Sequence, residues 1–276
     1  MRMIASQFTR PFFYAALFFL ALLGLTACAS GGGGGGYEAS RSVEPVTDSD
    51  EPEARKRAKI RMQLAVGYFE QGQTTIALDE IKQALVTDPG FADAFNLRGL
   101  IYMRLNDMRL ADESFRRAMS LNPNDANVLH NYGWMLCQQT RYTESAQAFS
   151  RAIANPTYGG RAKTWMTQGL CQVRAGQPLE AEHSLAKSYE LDAGNPITGY
   201  NLALLLYGRK ELTRSQFYIR RLNNSELANV ESLWLGIKVE QRLGNHEAVQ
   251  QLAGQLRKRY PQSREILAFE RGAFDE

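Results

Sequence analysis

From Ala58 onward the chain sets small, bulky and polar residues in a pattern that returns about every 34 positions. Small residues recur at Ala65, Gly99, Gly133, Gly169 and Ala203, and again at Ala77, Ala111, Ser145, Ala181 and Ser215. Bulky residues keep their own places: Phe95, Leu129, Trp165 and Leu233 in one set, Ile81, Phe115, Phe149, Leu185 and Ile219 in another. Within a unit these apolar positions follow helical spacing. Aligned pairs at Gly72-Gln73, Asn106-Asp107, Thr140-Arg141, Gly176-Gln177, Lys210-Glu211 and Gly244-Asn245 supply a turn in each unit. Each unit is therefore expected to be two helices joined by a tight turn, and the chain to be all-α.

The units begin at Ala58, Ala92, Ala126, Ala162, Pro196 and Val230, so the spacings are 34, 34, 36, 34 and 34. The two extra residues fall near 156–160, where a loop can absorb them. Pro89, Pro123, Pro156 and Pro261 stand at or near the ends of second helices, which proline cannot continue. The last two units depart from the pattern: Gly199 fills a bulky slot, and Ile237 and Val249 fill small ones. Helices are expected there, but not regular packing. Ser263 is placed to cap a final helix carrying Ile266, Leu267 and Phe269, which would cover the open end of the array.

This pattern resembles the tetratricopeptide repeat (TPR). The resemblance implies a right-handed superhelical solenoid of six helix pairs over 58–262, with a capping helix and tail over 263–276. Small residues at the crossings would let paired helices approach to roughly 8–10 Å.

The first 57 residues read differently. Arg2 and Arg10 precede an apolar run from Phe12 to Leu25, short for a membrane span but suited to a signal-peptide core. Leu25-Thr26-Ala27-Cys28 then resembles the lipobox of bacterial lipoproteins. That resemblance implies a leader over 1–27, removed on export, and a lipid attached to Cys28. Several acyl chains anchor stably where one is marginal. Ala29 stands where an aspartate would favour inner-membrane retention in that family, which implies the outer membrane, facing the periplasm. Six glycines from Gly31 to Gly36 and a polar, proline-broken stretch follow, so 28–57 is expected to be a tether.

In the TPR family the first helices line an inner groove. Projected onto this sequence, the groove holds Met62, Val66, Phe69, Asn96, Leu100, Met103, His130, Trp134, Met166, Leu170, Tyr200, Leu204 and Tyr207, with Cys137, Val173 and Trp234 beside them. Lys59, Asp93, Asn127, Lys163, Arg104, Arg174 and Arg242 form its polar margin. Apolar, aromatic and methionine-rich linings mark protein-binding surfaces. Relatives that grip a C-terminal carboxylate use lysine and asparagine over three repeats. Only Asn131 and Lys163 match here, while Asn96, Leu100 and Thr167 fill the other slots, so a helix or an extended strand is the better fit.

Charge changes this picture little. The net charge of +3 falls to near +1 once Arg2 and Arg10 leave with the leader, so no basic footprint for nucleic acid remains. His130, His183 and His246 sit in three different units, which argues against a metal site. No nucleophile elbow, phosphate loop or dinucleotide fingerprint occurs, and the acidic pairs read as solvated or ion-paired helix faces. The expectation is a non-enzyme with no cofactor beyond the lipid and no small-molecule substrate. Cys137 and Cys171 fall in first helices of adjacent units. Their slots point differently, which favours two separate thiols over a bridge.

Lipobox, tether and six repeats together resemble the tetratricopeptide pilotins of type IV pilus biogenesis, the PilF/PilW family. The runs over 92–99, 122–125 and 130–134 carry the resemblance locally. It implies an adaptor that binds the pilus secretin, a ring channel of the outer membrane, and promotes its localisation and multimerisation. A periplasmic scaffold recruiting cell-wall hydrolases or synthases shares the anchor and repeats and is the alternative.

Overall fold

The computed structural model describes residues 50–274. The expected leader, Cys28 and most of the expected tether lie outside the described residues. Thirteen helices and no strands occur among those described. They are α1 (Glu53–Glu70), α2 (Thr74–Thr87), α3 (Ala92–Arg104), α4 (Met108–Leu121), α5 (Ala126–Gln138), α6 (Tyr142–Ala154) and α7 (Arg161–Arg174). The series continues with α8 (Pro178–Leu191), α9 (Pro196–Gly208), α10 (Leu212–Asn223), α11 (Val230–Arg242), α12 (His246–Arg259) and α13 (Arg264–Glu270). The expected tether is shorter by its last residues, because α1 starts at Glu53, ahead of Ala58.

All six aligned turns share one backbone device. Gly72, Asn106, Thr140, Gly176, Lys210 and Gly244 each have a φ between 60° and 77°. In each case the next amide closes back onto the preceding helix, as Gln73 N donates to Tyr68 O at 2.8 Å and Asp107 N to Tyr102 O at 2.9 Å. This is the helix-ending motif that favours glycine, so Thr140, with its branched Cβ, holds the most strained of the six positions. Side-chain caps set several helix starts: Asp125 accepts from Asn127 N and Val128 N, and Asn195 from Ile197 N and Thr198 N.

The small slots work by contact. A Cβ on Gly99 would lie 2.6 Å from the Phe115 ring, on Gly133 2.9 Å from Phe149, and on Gly169 2.7 Å from Leu185. Those three large side chains are fully buried. In the sixth unit the sizes are exchanged: Ile237 occupies the small slot of the first helix, and Ala253 the bulky slot of the second. Both are fully buried in one cluster, with Val249 beside them. The irregularity expected from Ile237 is thus compensated across the helix pair, in keeping with conserved core volume. Close approach moves one residue along, to Gly236, whose Cβ would lie 2.4 Å from Asn223 Nδ2.

Consecutive first helices touch in an unbroken row, α1 to α3, α3 to α5, and so on to α11. Second helices pack on the first helices either side of them, but among the described residues they do not touch one another. That difference curves the array with the first helices on its inner side. Helix α13 closes the last pair, capped by Ser263, with Ile266 and Ala268 buried. Leu267, expected to help cover the end, is instead half exposed.

Candidate protein-binding groove

The inner row places most of the predicted lining at an open surface. Met62, Val66, Phe69, Asn96, Leu100, Met103, Trp134, Met166, Leu170, Tyr200 and Tyr207 are each partly exposed. Leu204 and Val173 are the most open, at 41% and 45%. Met62, Val66, Phe69, Leu100 and Met103 pack their inner sides on the core shared by the first three units. Burial, with Glu231 nearby, raises the Tyr200 phenol above its ordinary range, so it stays a hydrogen-bond donor.

Three predicted members are not open. His130 is buried, at 6% exposed, and its Nδ1 lies 2.9 Å from Thr164 Oγ1 on the next first helix. Burial, with Lys163 adding to it, pushes this imidazole down to about 4, so it is neutral. Trp234 is buried and stacks on Phe274 at 5.9 Å. Cys137 is buried and bonded to Cys171, with their Cα atoms 5.9 Å apart. This corrects the reading of two separate thiols. In a head-to-tail array the surface facing the next unit differs from the surface facing back, so contacts between units join unlike slots. His130–Thr164, Asn131–Asn96 and Cys137–Cys171 all do this.

Trp134 packs against the cluster that contains the disulfide. Asn131, one of the two residues resembling a carboxylate clamp, donates to Asn96 Oδ1 at 3.0 Å, and Thr167 is tied to its own helix at Lys163 O. The histidines do not converge: His183 meets the Trp165 ring edge-on at 5.9 Å, and His246 is exposed at the start of α12. Among the described residues no three metal-ligating side chains come together.

Two features escaped sequence reasoning. The margin arginines are not merely polar. Arg104 lies over the Phe69 ring at 3.7 Å, Arg174 over Trp134 at 4.9 Å and Arg242 over Tyr207 at 4.8 Å. Their recurrence at the last residue of α3, α7 and α11 was the available signal. Glu240, which no sequence pattern singles out, is only 1% exposed. Arg220 meets its carboxylate at 2.6 and 3.0 Å, Gln216 at 2.8 Å and Asn245 at 2.6 Å. Burial alone would raise this carboxyl, but the three donors hold it below its usual value. This network lines a cleft of about 490 Å³ between α10 and α12, away from the groove.

A continuous row of first helices, an open apolar lining and a repeated left-handed turn define a tetratricopeptide solenoid, a class that binds other proteins along its inner surface. Residues 92–125 match the tetratricopeptide repeat family. The type IV pilus assembly protein PilF of Pseudomonas aeruginosa is 30% identical over 256 residues, covering 93% of this chain and 97% of the relative. A solved structure of P. aeruginosa PilF superposes with a TM-score of 0.71 at 28% identity, over 80% of this chain and all of that one. That of PilW, a widely conserved type IV pilus biogenesis factor, gives 0.68 at 31%, over 77% of this chain and 97% of that one. The chain belongs to the PilF/PilW family of tetratricopeptide proteins of type IV pilus assembly.

Proposed function

We propose that this protein is a non-catalytic pilotin: an outer-membrane lipoprotein, anchored through Cys28 and facing the periplasm, that binds the pilus secretin and promotes its localisation and multimerisation. The observation that carries the proposal is the open apolar lining of the first-helix row, in a chain of a pilus assembly family. A lining this apolar gains from being covered, and an assembling ring channel presents segments that neighbouring subunits later bury. The lipid would concentrate bound subunits at the membrane, converting their encounter into a near-intramolecular one. The Cys137–Cys171 bond is in keeping with export, since such bonds persist in oxidising compartments. Among the described residues no helix is long and apolar enough to cross a membrane.

The test is a deletion strain scored for detergent-resistant secretin multimers in outer-membrane fractions. Multimers should be lost and should return with the wild-type copy, but not with Trp134→Ala/Tyr200→Ala, whose circular dichroism should stay unchanged. Cys28→Ala should release the protein from the membrane. Normal multimers with altered wall composition would instead favour a scaffold for cell-wall enzymes.

A further inference from the structure

The six first helices end, in order, on Glu70, Arg104, Gln138, Arg174, Gly208 and Arg242. An arginine therefore closes every second one, and each lies over an aromatic ring of the preceding unit. A cation at a helix C-terminus is favoured by the helix dipole, but that would serve all six helices alike and requires no ring beneath it. Several arginines of the second helices and turns find carboxylates: Arg116 pairs with Asp112, Arg141 with Glu144, Arg214 with Glu182 and Glu211. Others, such as Arg117 and Arg221, also lie over rings, but over Phe95 and Tyr189, which are not part of the groove lining. Arg104 and Arg174 are exposed and meet no carboxylate within 4.0 Å among the described residues. Arg104 donates one Nη1–H to Phe69 O. A guanidinium lying flat on a ring keeps its remaining edge N–H groups for acceptors in its plane, a geometry that suits a carboxylate. The opposite margin of the groove carries Lys59, Asp93, Asn127 and Lys163, of mixed sign, and Lys59 is neutralised by Glu51 at 2.6 Å.

We infer that Arg104 and Arg174 are the charge-reading positions of the groove, and that its occupant is an apolar peptide segment carrying two carboxylates set to meet them. This deepens the function proposed above and rests on the groove being the binding surface. The arginines stand two helix spacings apart, roughly 16–20 Å. Two acidic residues span that distance on one face when about six apart in an extended segment, or about eleven apart in a helix. The side chains between them would lie on Leu100, Trp134 and Leu170.

Displayed random peptides of about 16 residues, long enough for either register, should be selected on the immobilised full chain at low salt. Selected peptides are expected to be rich in Asp or Glu pairs at one of the two spacings. Arg104→Gln/Arg174→Gln should weaken those peptides about tenfold and remove the salt dependence of binding. Arg104→Lys/Arg174→Lys should restore the salt dependence with only part of the affinity. Trp134→Ala separates this inference from the reading beneath it. If Trp134→Ala abolishes binding but the peptides show no acidic pairs, or the Gln variant binds as wild type, the groove stands and the arginine inference fails. If no peptide is selected, or neither substitution weakens binding, both fail.

Discussion

The junction between the third and fourth units and the junction between the fifth and sixth solve one problem with opposite chemistry. At the first, Cys137 and Cys171 join α5 to α7 covalently, and buried His130 reaches Thr164 across the same junction. The linker there is the irregular one, and Tyr158 folds back from it onto Ala126, Leu129 and Ala152. At the second, buried Glu240 of α11 gathers Arg220 and Gln216 from α10, while Asn245 comes from the turn before α12. Asn223 adds a bond to Ser232 O at 2.9 Å. One junction is thus held by a bond sensitive to reductant beside a histidine sensitive to mild acid, the other by a carboxylate sensitive only to stronger acid. Repeats that share a backbone plan need not share a means of cohesion.

The sharpest way to break the contrast is to remove the sulfur bond. Closing a loop of 34 residues is worth about 3–4 kcal/mol, so Cys171→Ser or mild reduction should lower stability by about that much. Hydrogen exchange should rise in α5 to α8 and stay unchanged in α10 to α12; a uniform rise would mean that the two junctions do not act separately.

Acid should come next. His130 titrates at about 4 in the folded chain, below its unfolded value near 6.5, so the unfolded state binds the proton first. Its contribution is complete above about 6.5 and is lost as pH falls towards 4, by up to about 3 kcal/mol. His130→Gln should flatten the fall in melting temperature across that window. An unchanged slope would mean that another group governs it.

A smaller effect should follow at the other junction. Glu240 is held below its usual value, so its stabilisation is present above the ordinary carboxylate range and lost as pH drops through and below it. That places its acid sensitivity lower than that of His130. Glu240→Ala should cost about 2 kcal/mol, less than a fully buried pair because Arg220 is half exposed. Protection should be lost in α10 to α12 only.

Much of this architecture is legible in the sequence because it depends on positions within one unit. The crossings at Gly99, Gly133 and Gly169 and the left-handed turns at Gly72, Gly176 and Gly244 are set locally, so aligning the units exposes them. What sequence missed lies between units or across a pair. Ile237 looks wrong in its own column and right only beside Ala253. Cys137 and Cys171 occupy unlike slots, which argues against a bond until the two faces of a unit are distinguished. Glu240 resembles any surface glutamate, because its burial depends on α10 and α12 together. The groove rests almost entirely on family likeness; of the lining that is buried, His130 and Cys137 are taken up by contacts to the next unit and Trp234 by Phe274 of the tail.

The bond between Cys137 and Cys171 also has a mechanical meaning. In the proposed role the protein would link a membrane to an assembling channel and be loaded along its chain, and an array of helix pairs yields to such loading one unit after another. Residues enclosed by a covalent loop release no length when their helices yield. Closing 34 residues withholds roughly 110–120 Å of contour. Under tension the middle of this protein would therefore act as a fixed link, and only the units on either side could pay out as slack.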